Sequence, residues 1–157
     1  EETGSTYLEN AMLKARAVAA FTGEPALADD SGIEVDALGG GPGPRSARYA
    51  GDDANEERNL KALIGALAGV PSAGRTARYR CIAAIAWPDG GELWTEGVCD
   101  GTLIAKPRGT GGFGYDPIFV PAGWDSTMAE LPPAEKDRIS HRGRALRALR
   151  QSLAEAE

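Results

Sequence analysis

Histidine occurs once in this chain, cysteine and methionine twice each, and aromatic residues make up only 6% of its 157 residues. Cys81 and Cys99 are too few for a disulfide framework and lack the spacing of a zinc site. The expectation is a reducing compartment, the cytoplasm. Long apolar runs are missing too. The longest, Cys81 to Trp87, falls far short of the ~20 residues that span a bilayer, and no secretory signal is seen. Nor is there a surplus of positive charge: 17 Lys and Arg against 23 Asp and Glu leave a net charge of −6. That excludes a basic coat for nucleic acid. A small anionic substrate is still admissible where a local cation cluster or a metal screens the charge.

Glycine is plentiful, at 21 residues with 10 prolines beside it, which points to loops with close backbone approaches rather than to disorder. The length suits one domain able to bury roughly two thirds of its unfolded surface. No internal repeat or linker divides it. Thr6 and Glu9 read as a capping box ahead of a helix with Leu8, Met12, Ala15 and Ala19 on one face, closed by Gly23 and Pro25. A short buried strand at 26–28 enters the turn DDSG, and Ile33 and Val35 alternate beyond it. GGGPGPRSARYAG, 39–51, reads as an irregular loop. Asp53 and Glu56 cap a second helix that turns Leu60, Leu63, Ile64 and Leu67 inward. Tyr79 to Trp87 and Glu92 to Ile104 form a hairpin about Pro88-Asp89-Gly90-Gly91. A glycine-rich loop at 109–116 leads to a strand at 118–120, and Ser140 caps a basic terminal helix. The fold class is α/β, mixed α+β: a central mixed sheet flanked by helices.

Three stretches carry chemistry. Asp29 and Asp30 read first as a polar turn, with the alternative that one holds a hard divalent cation through oxygen while one takes a proton from water. GTGGFGYDP converges backbone N–H groups on an anion or a ring, and Phe113 is either a stacking platform or a core residue. It lacks the Lys-Ser/Thr of a phosphate-binding P-loop. EKDRISHRGRAL places Lys136, His141 and Arg142 at a helix start, as an anion or carbonyl site or as a solvated basic face. Arg144, Arg147 and Arg150 fit the solvated face. Arg48 reads as a phosphate contact or a loop anchor, and Tyr49 as core.

Taken together and in order, TYLENAMLKARA, LADDSGIEVDALGGGPGPRSARYAG, GTGGFGYDPIFVP, TMAEL and EKDRISHRGRAL resemble the inosine triphosphate pyrophosphatase family. The match runs from Thr3 to Leu149. It implies an elongated mixed α/β fold, a hydrolase acting on acid anhydrides, a Mg²⁺ requirement and a homodimer. The implied reaction converts ITP, dITP and XTP to the monophosphate and pyrophosphate. By the same resemblance Asp30 is the catalytic proton acceptor near the metal, Glu2 helps hold Mg²⁺ with Asp29 assisting, and Ser31 contacts substrate. Phe113, Gly114, Tyr115 and Asp116 correspond to the base-recognition segment, and Lys136, His141 and Arg142 to the remaining base and sugar contacts. The family also opens with a strand and an Asn-containing loop ending in Lys that grips the triphosphate. No such motif stands in this chain. The expectation is one domain over 1–157, incomplete at its N-terminus. Two rival readings are a sister-fold pyrophosphatase for pyrimidine or modified nucleotides and a non-catalytic nucleotide-binding module.

Overall fold

In the computed structural model, which describes residues 4–156, the first helix α1 (Tyr7–Thr22) opens on Thr6. The Thr6 hydroxyl accepts the Glu9 N–H at 3.1 Å, while the Glu9 carboxylate reaches back to the Ser5 N–H at 2.8 Å. The reciprocal bond of the expected capping box is thus displaced by one residue. Gly23 closes the helix in the left-handed conformation, which costs glycine nothing. The predicted face holds: Met12, Ala15 and Ala19 are buried, and Leu8 packs beside them.

The strand β1 (Ala26–Val35) runs straight through the predicted turn. Asp29 pairs with Ala83 and Asp30 with Ile82 on β2 (Thr76–Ala86), so DDSG is ladder and not loop. Helix α2 (Glu56–Ala66) is capped by Asn55, whose side chain accepts the Arg58 N–H at 2.8 Å, rather than by Asp53. The predicted hairpin joins β2 to β3 (Glu92–Leu103), its turn held by Trp87 N–H to the Gly91 carbonyl at 2.9 Å. Three residues of β4 (Phe119–Pro121) complete the sheet, and α3 (Pro133–Ile139) and α4 (His141–Glu155) follow. The order is β1-β2-β3-β4, antiparallel at every step. The fold class is mixed α and β as expected, but no parallel pair occurs among the described strands.

Alternation sorts the sheet's two faces. Ile33, Val35, Ala77, Tyr79, Cys99 and Leu103 enter the main core with Leu63 of α2, Leu67 at its C-cap, and Phe119, Ile118 and Met128. On the opposite face α1 packs its alanines and Met12 against Ile82, Ala84, Ala86 and Ala26. α4 returns to the first face, with Ala145 and Leu149 against Cys81 and Ala83. The sheet is therefore covered on both sides just where DDSG crosses it. No described helix is long and apolar enough to cross a membrane.

Candidate active site

Adjacent strand residues point to opposite faces, and this decides the acidic pair. Asp30 turns toward α1 and is buried, with Asn10 Nδ2 3.4 Å and Lys14 Nζ 3.7 Å from its carboxylate. Asp29 turns toward α4, where its carboxylate accepts Arg142 Nε at 2.9 Å; its backbone carbonyl accepts from Lys14. Each carboxylate thus has a cation on its own side of the sheet, Lys14 for Asp30 and Arg142 for Asp29. The positive charge that makes a paired DD tolerable in a strand comes at least partly from the protein itself.

Asn10 and Lys14 escaped the sequence reading. They sit at i and i+4 on α1, and the only signal was a polar pair interrupting an alanine-rich inward face. Asn10 is fully buried and also accepts the Gly4 N–H at 2.7 Å, which ties the start of the described chain to Asp30.

The glycine-rich loop and the α4 start come together on the other side of β1. Phe113 is 43% exposed and so belongs to no core. Lys136 Nζ lies 4.2 Å and Arg142 Cζ 5.4 Å from its ring centre, both within cation–π range. Asp116 is buried and gathers three donors: Tyr79 hydroxyl at 2.9 Å, Phe113 N–H at 3.0 Å and Lys136 Nζ at 2.6 Å. Gly112 has no room for a side chain, since a Cβ would collide with the Asp116 carboxylate and come within 3.0 Å of Lys136 Nζ. The Tyr115 hydroxyl points inward and donates to the Ser46 carbonyl at 2.6 Å.

Ser140 caps α4 as predicted, accepting the Gly143 N–H at 3.0 Å. His141 follows it into the interior, stacked on Tyr79 with ring centres 4.6 Å apart and planes 9° apart. Its Nδ1 is buried with no hydrogen-bond partner. Burial, then the nearby Arg142 and Lys136 charges, hold its pKa down at about 3, so the imidazole is neutral at ordinary pH. Further along α4, Arg144 and Arg147 are anchored rather than merely solvated. Arg144 donates to the Val98 carbonyl at 2.7 Å, and Arg147 to those of Asp137 and Arg138 at 2.9 and 2.7 Å.

Two adjoining cavities share Phe113 and His141. One, of about 400 Å³, is walled by Ser31, Tyr79, Gly114, Tyr115 and the 46–56 segment. The other, of about 520 Å³, is walled by Lys136, Ser140, Arg142 and Arg147. The 39–51 loop contributes through Ser46, whose hydroxyl accepts the Ile33 N–H at 2.9 Å and docks the loop on the edge of β1 just past Ser31. Of the predicted residues, Ser31, Phe113, Gly114, Tyr115, Lys136, His141 and Arg142 line these cavities, with Asp116 behind them.

The fit to a metal is partial. Asp30 offers hard carboxylate oxygens of the kind Mg²⁺ takes. No group of three or more His, Cys, Asp or Glu able to hold an ion assembles among the described residues. Asp29 faces the other way, and Glu2 lies outside the described residues.

β1 thus carries a buried carboxylate on one face and has an exposed aromatic ring, two cations and a neutral imidazole gathered on the other. The chain belongs to the Ham1 family, whose model matches residues 1–152. It is 53% identical over 148 residues to the dITP/XTP pyrophosphatase of Geobacillus kaustophilus, covering 94% of this chain and 72% of that protein. Identity is also 53%, over 149 residues, with the dITP/XTP pyrophosphatase of Streptomyces coelicolor, covering 95% and 74%. Among solved structures, the Staphylococcus aureus Ham1 protein superposes with a TM-score of 0.91 at 41% identity, covering 100% of this chain and 81% of that one.

Proposed function

We propose that this site hydrolyses aberrant purine nucleoside triphosphates, ITP, dITP and XTP, to the monophosphate and pyrophosphate, clearing them from the nucleotide pool. The observation that carries the reading is the pair of adjoining cavities in which the Phe113 ring, Lys136, His141, Arg142 and Ser31 come together. Asp30 directly precedes Ser31 on β1, buried with Lys14 beside it. The similarity to the dITP/XTP pyrophosphatases of Geobacillus kaustophilus and Streptomyces coelicolor supports it. In this reading the chain is a hydrolase acting on acid anhydrides, working in the cytoplasm as a homodimer.

The base stacks against Phe113. Donors from His141 and Arg142 suit the 6-oxo group of hypoxanthine and xanthine, whereas the 6-amino group of adenine brings donor against donor. Each buried polar group left unpaired costs about 1–3 kcal/mol. Guanine keeps the 6-oxo group, so its exclusion rests on cavity shape around the 2-amino group. At the other end, water attacks the α-phosphorus and pyrophosphate leaves with the electron pair of the broken P–O bond. Asp30 orients the water and takes its proton, with Lys14 Nζ 3.7 Å from its carboxylate. Asp30 would offer its carboxylate oxygens to Mg²⁺, which would supply charge neutralisation for the leaving pyrophosphate.

Replacing Asp30 with Asn keeps the shape and removes the base. The expected result is a loss of kcat for ITP of about a thousandfold with nucleotide binding retained. The assay is pyrophosphate release across ITP, XTP, GTP, UTP and dTTP, with ITP and XTP turned over best. Turnover by Asp30→Asn at the wild-type rate removes the residue from catalysis, and a preference for UTP or dTTP overturns the substrate assignment.

A further inference from the structure

Tyr79 sits on β2 in the wall of the smaller cavity and touches both halves of the recognition site. One face of its ring stacks on His141, and it also meets Phe119 at 4.6 Å and 50°. Its hydroxyl donates to Asp116, which holds the Phe113 N–H and Lys136. A ring nitrogen of histidine is ordinarily oriented by the hydrogen bond made at the other nitrogen. His141 Nδ1 has no such bond. What keeps the imidazole in its plane is therefore packing, and the Tyr79 face is the flat surface against it. The hydroxyl is the less critical half of Tyr79, because Asp116 retains a lysine and a backbone N–H without it.

We propose that Tyr79 is a positioning residue for nucleotide recognition, acting through its ring to hold His141 at the angle at which the imidazole meets the base. This rests on the assignment of His141 to the nucleotide site made above. An aromatic ring at this position then matters more than its hydroxyl, and any flexible aliphatic side chain of similar bulk fails to replace it.

His141 is the only histidine, so its ring-proton resonances are a single, unambiguous reporter. The test compares Tyr79→Phe, Tyr79→Leu and Tyr79→Met by NMR of His141, by calorimetric titration with IMP and by ITP kinetics. Tyr79→Phe is expected to keep the His141 shifts and to weaken IMP binding by no more than about threefold, the loss of one of three donors to Asp116. Tyr79→Leu and Tyr79→Met lose the ring current, so the His141 ring protons move downfield. IMP binding is expected to fall about tenfold or more, with KM for ITP rising more than kcat falls. Two aliphatic variants are used so that one folded protein suffices; the amide spectrum reports which. Aliphatic variants that bind IMP within twofold of wild type, or that leave the His141 shifts unmoved, overturn the proposal. So does a Tyr79→Phe variant as weak as Tyr79→Leu. If IMP fails to move the His141 resonances of the wild-type chain, the failure lies in the assignment of His141 to the nucleotide site instead.

Discussion

Asp29 and Asp30 are neighbours in the chain and stand on opposite sides of a sheet. Their unequal tasks follow from that alone: a carboxylate under α1 with Lys14 and Asn10 beside it, and a carboxylate at the start of α4 that fastens Arg142. His141 shows the same dependence on place. An exposed histidine titrates near 6.5, but here burial holds the folded value at about 3. Between those two values the unfolded chain binds a proton that the folded chain does not, so stability falls as pH drops from about 6.5 toward 3. The slope from this one group approaches ~1.4 kcal/mol per pH unit. Urea unfolding at pH 7 and pH 5 should show wild type losing more stability than His141→Gln. Equal losses would mean that the imidazole is not held neutral.

Among the elements, the helix start at 140–142 is set in place by a glycine of the neighbouring strand. α4 crosses β3 at Gly97, where a Cβ would run into the His141 carbonyl and the Ala145 amide and lie 3.0 Å from Arg144 Cβ. Gly101, two pleats along, has its own crowding, but against Phe119 and Val120 of β4. Gly97→Ala and Gly101→Ala should each destabilise by about 1–3 kcal/mol through overpacking. Only Gly97→Ala should also raise KM for ITP, about tenfold, because it displaces His141 and Arg142 from β2 and the loop. Thermal unfolding paired with ITP kinetics separates the two effects, and equal KM values in both variants would count against a positioning role for this crossing. The sequence reading found α1, the hairpin, the terminal helix and their caps because each is specified by nearby residues: Thr6, Pro88-Asp89-Gly90-Gly91 and Ser140. It placed a turn at DDSG because Asp and Gly favour turns locally. Ten ladder pairs to β2 outweigh that preference.

For the whole molecule, several apolar side chains stay uncovered, including Phe21 at 92% exposure and Val18 and Leu27 at half or more. A homodimer, part of the functional reading above, buries surface of this kind. Sedimentation equilibrium should give about twice the 16.4 kDa of the chain, and a single-chain mass at micromolar concentration would remove the dimer from that reading. The residues of the cleft were legible one by one in the sequence, since Phe113 among glycines and Lys136, His141 and Arg142 at a helix start are unusual in themselves. Their partners were not. Lys14 lies on the first helix and Tyr79 in the middle of an apolar strand, where each looks ordinary until the fold brings them to Asp30 and His141. Composition, caps and turns act over a few residues, and so the sequence by itself determined the elements and the types of chemistry on offer. Which face of β1 each aspartate takes, and what stands opposite it, depends on pairings between residues as distant as 29 and 142. Only the tertiary structure decides those, because strand alternation assigns a side chain to a face while the packing of α1 and α4 determines what that face meets.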